Sequence, residues 1–191
     1  EEQQKIMSEQ QEQLDRIIGV KSNLIEDLKQ AFDGTDLKVS VDPQTGAITF
    51  DSSILFDVNM YDLKPSGEDF LEEFLPRYLN VLLQDKYKTY ISEIIIEGHT
   101  DTNGTYMYNL ELSQERALSV ATFCLKDDTT ILSSEEKESL RSIVTANGKS
   151  FSNPIYNSDG SVNLEASRRV EFKFRLKDED MVNEMIKILS E

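Results

Sequence analysis

The sequence predicts an α+β fold, with helices packed against a mixed β-sheet and one long helix ahead of it. Three observations lead there. Residues 1–32 contain no proline and repeat apolar residues at alternating spacings of three and four. Ile91 to Glu97 holds three consecutive isoleucines, a run that suits a central strand buried on both faces. "RRVEFKFRL" alternates Val170, Phe172, Phe174 and Leu176 with charged residues, the pattern of a strand with one wet face.

The N-terminal helix places Met7, Leu14, Ile17, Leu24, Leu28 and Ala31 along a heptad seam broken by Gln10 and Lys21. Ile18, Ile25 and Phe32 widen that stripe, and Gly19 weakens the helix by about 1 kcal/mol relative to alanine. Two arrangements fit equally: a helix lying on its own domain, or a parallel coiled-coil dimer. Apolar alternation on both sides of Asp42-Pro43-Gln44-Thr45-Gly46 predicts a hairpin of Leu37–Val41 with Ala47–Phe50. A second helix follows, with Ser66 and Asp69 read as its capping box and Phe70, Leu71, Phe74, Leu75, Tyr78, Leu79, Leu82 and Leu83 as its apolar face. Pro76 should kink it. After the isoleucine strand, Ser113 is read as the cap of a helix that turns Ala117, Val120, Ala121, Cys124 and Leu125 inward. A short helix near "SSEEKESLRS", a strand near "SIVTANG", a loop over residues 153–161 and an amphipathic C-terminal helix complete the chain. The expected organisation is a helical linker at 1–32, a domain at 33–177 and a C-terminal helix at 178–191.

Charge narrows the function. Twenty basic against 36 acidic residues give a net charge of −16, which argues against nucleic acid and against anionic membranes. The single cysteine, Cys124, excludes an internal disulfide and reads as a small core residue. No apolar run approaches the roughly 20 residues of a membrane helix, and the opening "EEQQKIM" leads us to expect an upstream segment, with a membrane anchor in it.

"IIIEGHTDTNGTYMYNLELSQER" gathers the only histidine, His99, with Asp101, Gly104 and Arg116 at a strand-to-helix connection, where ligands are commonly held. With Ser113 as cap, Arg116 would sit in the first helical turn, where the dipole disfavours a cation by roughly 0.3–1 kcal/mol. A salt bridge to Asp101, Glu111 or Glu115 would compensate, and so would an anionic ligand gripped by the guanidinium fork. Paired acids such as Glu97 and Asp101 would suit a glycan hydrolase, but acid pairs are common in a chain with 36 acids. A metal at His99 and Asp101 would lack further ligands, so none is expected, and no cofactor either.

The segment "IEGHTDTNGTYMYNLELSQERALSVATF" resembles the signature of the OmpA C-terminal-like domain, a noncovalent peptidoglycan-binding module. "ILFDVNMYDLKPSG" is similar to that family's opening strand and helix entry, and "SRRVEFKF" to its closing arginine pair. The resemblance implies a βαβαβ-type mixed sheet, no enzymatic activity, and a pocket for the diaminopimelate of the stem peptide. It implies that Asp101 pairs with the ligand's ammonium and Arg116 with its carboxylate. Thr100, Asn109, Leu110 and Asn59 would line the pocket, and one of Arg168 and Arg169 would reach the ligand. His99 is expected to be structural, and Ser167 stands where the family usually has Asn. The long leading helix looks like that of MotB-type stator subunits, and "DPQTGAITF", "ILFDVN" and "YNLELSQERALSV" most resemble the MotB-like B subunits of Zorya antiphage defence systems. That likeness adds Tyr108 as a wall contact, although a core aromatic fits equally. It further implies a periplasmic homodimer tethered to the inner membrane, with MotA-like channel subunits as partners. A flagellar-type stator or a generic wall anchor is the alternative.

Overall fold

The computed structural model describes residues 2–190. Its centre is a five-stranded sheet built from β1 (Ser40–Val41), β2 (Ile48–Asp51), β3 (Ile91–His99), β4 (Val144–Gly148) and β5 (Arg169–Leu176), in the order β1-β2-β5-β3-β4. β3 and β4 run parallel, and the other neighbours are antiparallel, so the sheet is mixed as expected. Helix α2 (Pro65–Leu82), then α3 (Asp85–Lys88), lead into β3; α4 (Tyr106–Leu125) and α5 (Ser134–Arg141) lead into β4; α6 (Leu164–Ser167) precedes β5. α1 (Glu2–Phe32) opens the chain and α7 (Glu179–Ser190) closes it.

The strand registers place Ile48, Phe50, Ile94, Ile96, Val170, Phe172 and Phe174 on one face, beneath α2 and α4. Phe172 meets Phe50, Phe74 and Tyr78 at ring-centroid distances of 6.0, 4.9 and 5.5 Å, so aromatic packing joins sheet to helix. The opposite face carries Glu93, Ile95, Glu97 and His99 of β3 beside Arg169, Glu171, Lys173 and Arg175 of β5. β3 is an interior strand, next to β5 at the centre, but only one of its faces is buried by apolar residues; on the other, Glu97 and His99 are covered by neighbouring charged side chains.

The C-terminal half of α1 lies on its own domain. Leu24, Ile25, Leu28 and Phe32 join the core, Phe32 stacks on Phe74 at 5.3 Å, and Asp27 accepts from Lys86 and Tyr87 at 2.6 Å each. Ile6 and Met7, farther forward, are exposed.

Two helix starts differ from expectation. α2 begins at Pro65 with Lys64 in the cap position, so Ser66 is inside the helix and makes no capping box; proline suits that first position because its missing N–H would be unpaired anyway. The helix continues through Pro76 to Leu82. α4 begins at Tyr106, capped by Thr105 Oγ1 accepting from the Tyr108 amide at 3.2 Å, so Ser113 and Arg116 are deep inside it. Arg116 is therefore not a first-turn residue, and the dipole argument for its pairing does not apply.

Gly98 and Gly148, paired across β3 and β4, let α4 sit close. A Cβ at Gly98 would lie 2.3 Å from the Ser113 carbonyl oxygen, and one at Gly148 2.5 Å from the Gln114 nitrogen. Ser113 Oγ accepts from the Ser150 amide, and Gln114 spans to Ala146 and Gly148, fixing the rotation of α4 over the parallel strands.

Candidate functional site

The end of β3 positions the first residues of the candidate site, here called the cleft. The Thr100 amide donates to the Ser150 carbonyl at 2.9 Å, which holds the chain just before Asp101. Asp101 Oδ1 accepts from the Asn103 amide at 2.9 Å, and its Oδ2 accepts from Arg168 Nη1 at 2.7 Å. Asn109, on the inner side of α4, donates to the carbonyls of Asn103 and Thr105 at 2.7 and 3.1 Å, so it braces the loop rather than facing solvent. Leu110 is half-buried beside it, and Tyr108 is exposed, not a core aromatic.

Arg116 supplies the opposite wall. It is only 6% exposed, and its Nε and Nη2 donate to the carbonyls of Met60 and Asp57 at 2.8 and 3.1 Å. Its guanidinium lies over the Phe56 ring at 5.1 Å. Asn59, at φ 60° between those two carbonyls, is exposed on the loop that Arg116 secures. Burial pulls the Arg116 guanidinium below its ordinary value; Tyr108 and Asp101 oppose that pull, while Arg168 adds to it. These four groups therefore share one electrostatic environment. The expected salt bridge to Asp101, Glu111 or Glu115 is not formed; backbone carbonyls take its place.

The neighbouring arginines part company. Arg168 turns to Asp101, whereas Arg169 is buried, donating from Nε to Glu171 at 2.6 Å and from Nη1 to the Ser167 carbonyl at 3.2 Å. Ser167 is fully buried, and its hydroxyl accepts from the Ile155 amide at 2.9 Å, tying the 153–161 loop to α6.

Behind the cleft, Glu97, His99 and Glu171 bring potential metal-ligand atoms within 4.8 Å of one another. Their charge is already met from within the protein. Lys173 lies 2.7 Å from Glu97 and 3.2 Å from Glu171, Lys149 lies 3.4 Å from Glu97, and Arg169 binds Glu171. A dication placed there would meet three cations, so the cluster reads as a structural ion network. Burial alone would raise the Glu97 carboxyl, but hydrogen bonds to His99 and Lys173, with the charges of Lys173 and Lys149, hold it at about 2. His99 Nε2 lies 3.1 Å from Glu97, so the imidazole is packed beneath the loop. A groove of about 680 Å³ opens at the other end of the sheet, lined by residues that include Asn80, Lys88, Ser133 and Lys177 and neither Asp101 nor Arg116.

Phe56 and the carbonyls of Asp57 and Met60 were not foreseen as parts of the site. Backbone acceptors leave no trace in a sequence pattern.

A profile of the OmpA family matches residues 55–163, more than half of the chain and most of the cleft. The chain belongs to the OmpA family. Two proteins named Zorya protein ZorB, both from Escherichia coli, are similar to this OmpA-family chain. The one from strain Crooks is 34% identical over 171 residues, covering 84% of this chain and 70% of the relative. The one from O139:H28 strain E24377A is 32% identical over 163 residues, covering 82% and 64%. The chain thus spans about two thirds of those relatives' length. Among solved structures, a MotB-like protein from Desulfovibrio vulgaris superposes with a TM-score of 0.59 at 18% identity, covering 86% of this chain and 99% of that one; the likeness is one of fold. Among the described residues, no helix is long and apolar enough to cross a membrane.

Proposed function

We propose that the chain binds peptidoglycan noncovalently and anchors a MotB-like stator complex to the cell wall in a Zorya-type antiphage defence system. The observation that carries this reading is the Asp101–Arg168 ion pair, with the buried guanidinium of Arg116 within electrostatic reach of both. An acid and guanidinium groups set apart in this way suit the diaminopimelate tip of a stem peptide, which carries an ammonium and a carboxylate on one carbon. Asp101 takes the ammonium, and Arg116 with Arg168 takes the carboxylate. Thr100, Asn109, Leu110 and Asn59 shape the walls, Tyr108 lies at the rim, and Arg169 is held away from the ligand by Glu171 and the Ser167 carbonyl. The resemblance to ZorB supports the defence context and the periplasmic setting, with MotA-like membrane subunits as partners.

The test is co-sedimentation with purified cell-wall sacculi. Wild type should pellet with the walls, and Asp101→Ala should stay in the supernatant while keeping its helical circular dichroism. Equal pelleting of both proteins would remove the site assignment.

The same proposal includes a homodimer, paired through the exposed front of α1. Leu24 and Leu28 belong to the domain's own core, so pairing is better probed at Ile6 and Met7. Ile6→Asp with Met7→Asp should lower the mass measured by light scattering from dimer to monomer. An unchanged mass would remove this dimer surface.

A further inference from the structure

We propose that Arg168 is an exchangeable counter-ion for Asp101, displaced by the ligand's ammonium and then turned onto the ligand's carboxylate. This rests on the reading of the cleft as a diaminopimelate site. It assigns a specificity role to a residue that otherwise looks like half of a simple ion pair.

The two arginines of the cleft are held in different ways. Arg116 is fixed by two carbonyls and an aromatic face, and is almost wholly buried. Arg168 is anchored through its backbone: its amide donates to Glu165 and its carbonyl accepts from Ser52, both at 3.1 Å. Its side chain is 43% exposed and makes one hydrogen bond among the described residues, from Nη1 to Asp101. The guanidinium thus reaches the acid from the solvent side, and one hydrogen bond is all that holds it there among the described residues. The acid, by contrast, stays where it is. Asp101 is 13% exposed, and its Oδ1 is tied to the Asn103 amide, so only Oδ2 is open to exchange.

The donors of Arg116 leave room for a second guanidinium. Its Nε and one N–H of Nη2 already serve Met60 and Asp57, so the side-on fork that grips a carboxylate is occupied. The end-on edge, Nη1 with the second N–H of Nη2, is left without a partner among the described residues. A ligand carboxylate held on that one edge keeps lone pairs open to a second donor, and Arg168 can supply it once it lets go of Oδ2. The exchange is close to balanced for a zwitterionic centre: the ammonium replaces the guanidinium at Asp101, and the carboxylate receives the guanidinium released. An ammonium without a neighbouring carboxylate must expel Arg168 and offers it nothing in return.

The test is calorimetric titration of the full chain with two soluble wall tripeptides, one ending in meso-diaminopimelate and one in lysine. Wild type should prefer the diaminopimelate peptide. Arg168→Gln should bind that peptide about tenfold more weakly, having lost a charged donor, and the lysine peptide up to about fivefold more tightly, having lost the competitor. Arg168→Lys, which keeps the charge but not the fork, should weaken the diaminopimelate peptide without strengthening the lysine peptide. Equal losses for both peptides in Arg168→Gln would mean that Arg168 only buttresses Asp101, and would overturn the exchange. Unchanged affinities for both would overturn it too. If wild type bound neither peptide, the wall-binding reading itself would fail, a result distinct from either of those.

Discussion

Replacing Arg116 with lysine tests whether its guanidinium secures the loop at Asp57–Met60. Lysine keeps the charge but cannot reach both carbonyls in the fixed geometry of Nε and Nη2. Each charge-assisted bond contributes about 1.5–3 kcal/mol, and the contact with Phe56 adds about 0.5–2 kcal/mol. Asp57 and Met60 are exposed, so water takes up part of the loss, and the sum falls to about 2–4 kcal/mol. With a urea m-value of about 2 kcal/mol/M, Arg116→Lys should lower the unfolding midpoint by about 1–2 M. Hydrogen exchange should locate the damage, with the amides around Met60 losing protection before those of β5. A midpoint within about 0.2 M of wild type would show that the guanidinium does not hold this loop, and the argument that its fork is occupied would fall with it.

Three further outcomes follow from the same geometry. Gly98→Ala puts a Cβ 2.3 Å from the Ser113 carbonyl oxygen, a backbone atom that cannot turn aside, so thermal unfolding should show a loss of about 1–3 kcal/mol or more together with weaker sacculus binding. The folded Glu97 carboxyl sits at about 2 against 4.5 in the unfolded chain. Its contribution, on the order of 3 kcal/mol, is therefore present above about pH 4.5 and lost as pH falls toward 2; Glu97→Gln should flatten that limb of a urea-midpoint versus pH curve. Burial pushes the Cys124 thiol up to about 12, so a maleimide at pH 8 should label it only at the rate of unfolding, and a labelling rate independent of added urea would contradict its place in the core.

The sheet and its apolar face were legible because burial there follows a simple period. The alternation of β5 points to one partner layer, and the structure supplies it; the isoleucines of β3 point to two, and only one of that strand's faces is covered by apolar residues. The start of α4 was not legible, for a physical reason. The residues that its first turns bury are Asn109, Ser113 and Arg116, all polar, so the hydrophobic period begins only at Ala117 and the helix seems to start too late. Those polar residues face inward because they brace the loop, receive the Ser150 amide and hold the carbonyls of the 57–60 segment. The cleft is thus built where the apolar pattern breaks. Arg168 and Arg169 were inseparable as a pair, since their divergence depends on where β5 begins: Arg169 is its first residue and points to the polar sheet face, while Arg168 lies just outside the strand and is free to turn to Asp101.

The charge of the whole chain and the charge of the cleft have opposite signs. A net charge of −16 repels an anionic wall at long range, yet the cleft presents two guanidinium groups to one carboxylate. At physiological ionic strength the repulsion fades over about 8 Å, so the wall is felt mainly through groups in contact. On the proposed reading, binding is set by short-range exchange at Asp101 and Arg168, not by electrostatic steering. A single such site is weak, because every charge gained at the ligand is one surrendered within the protein. Firm anchoring therefore calls for two domains held together, and the part of α1 that stays clear of the domain core, around Ile6 and Met7, is where that linkage would be made.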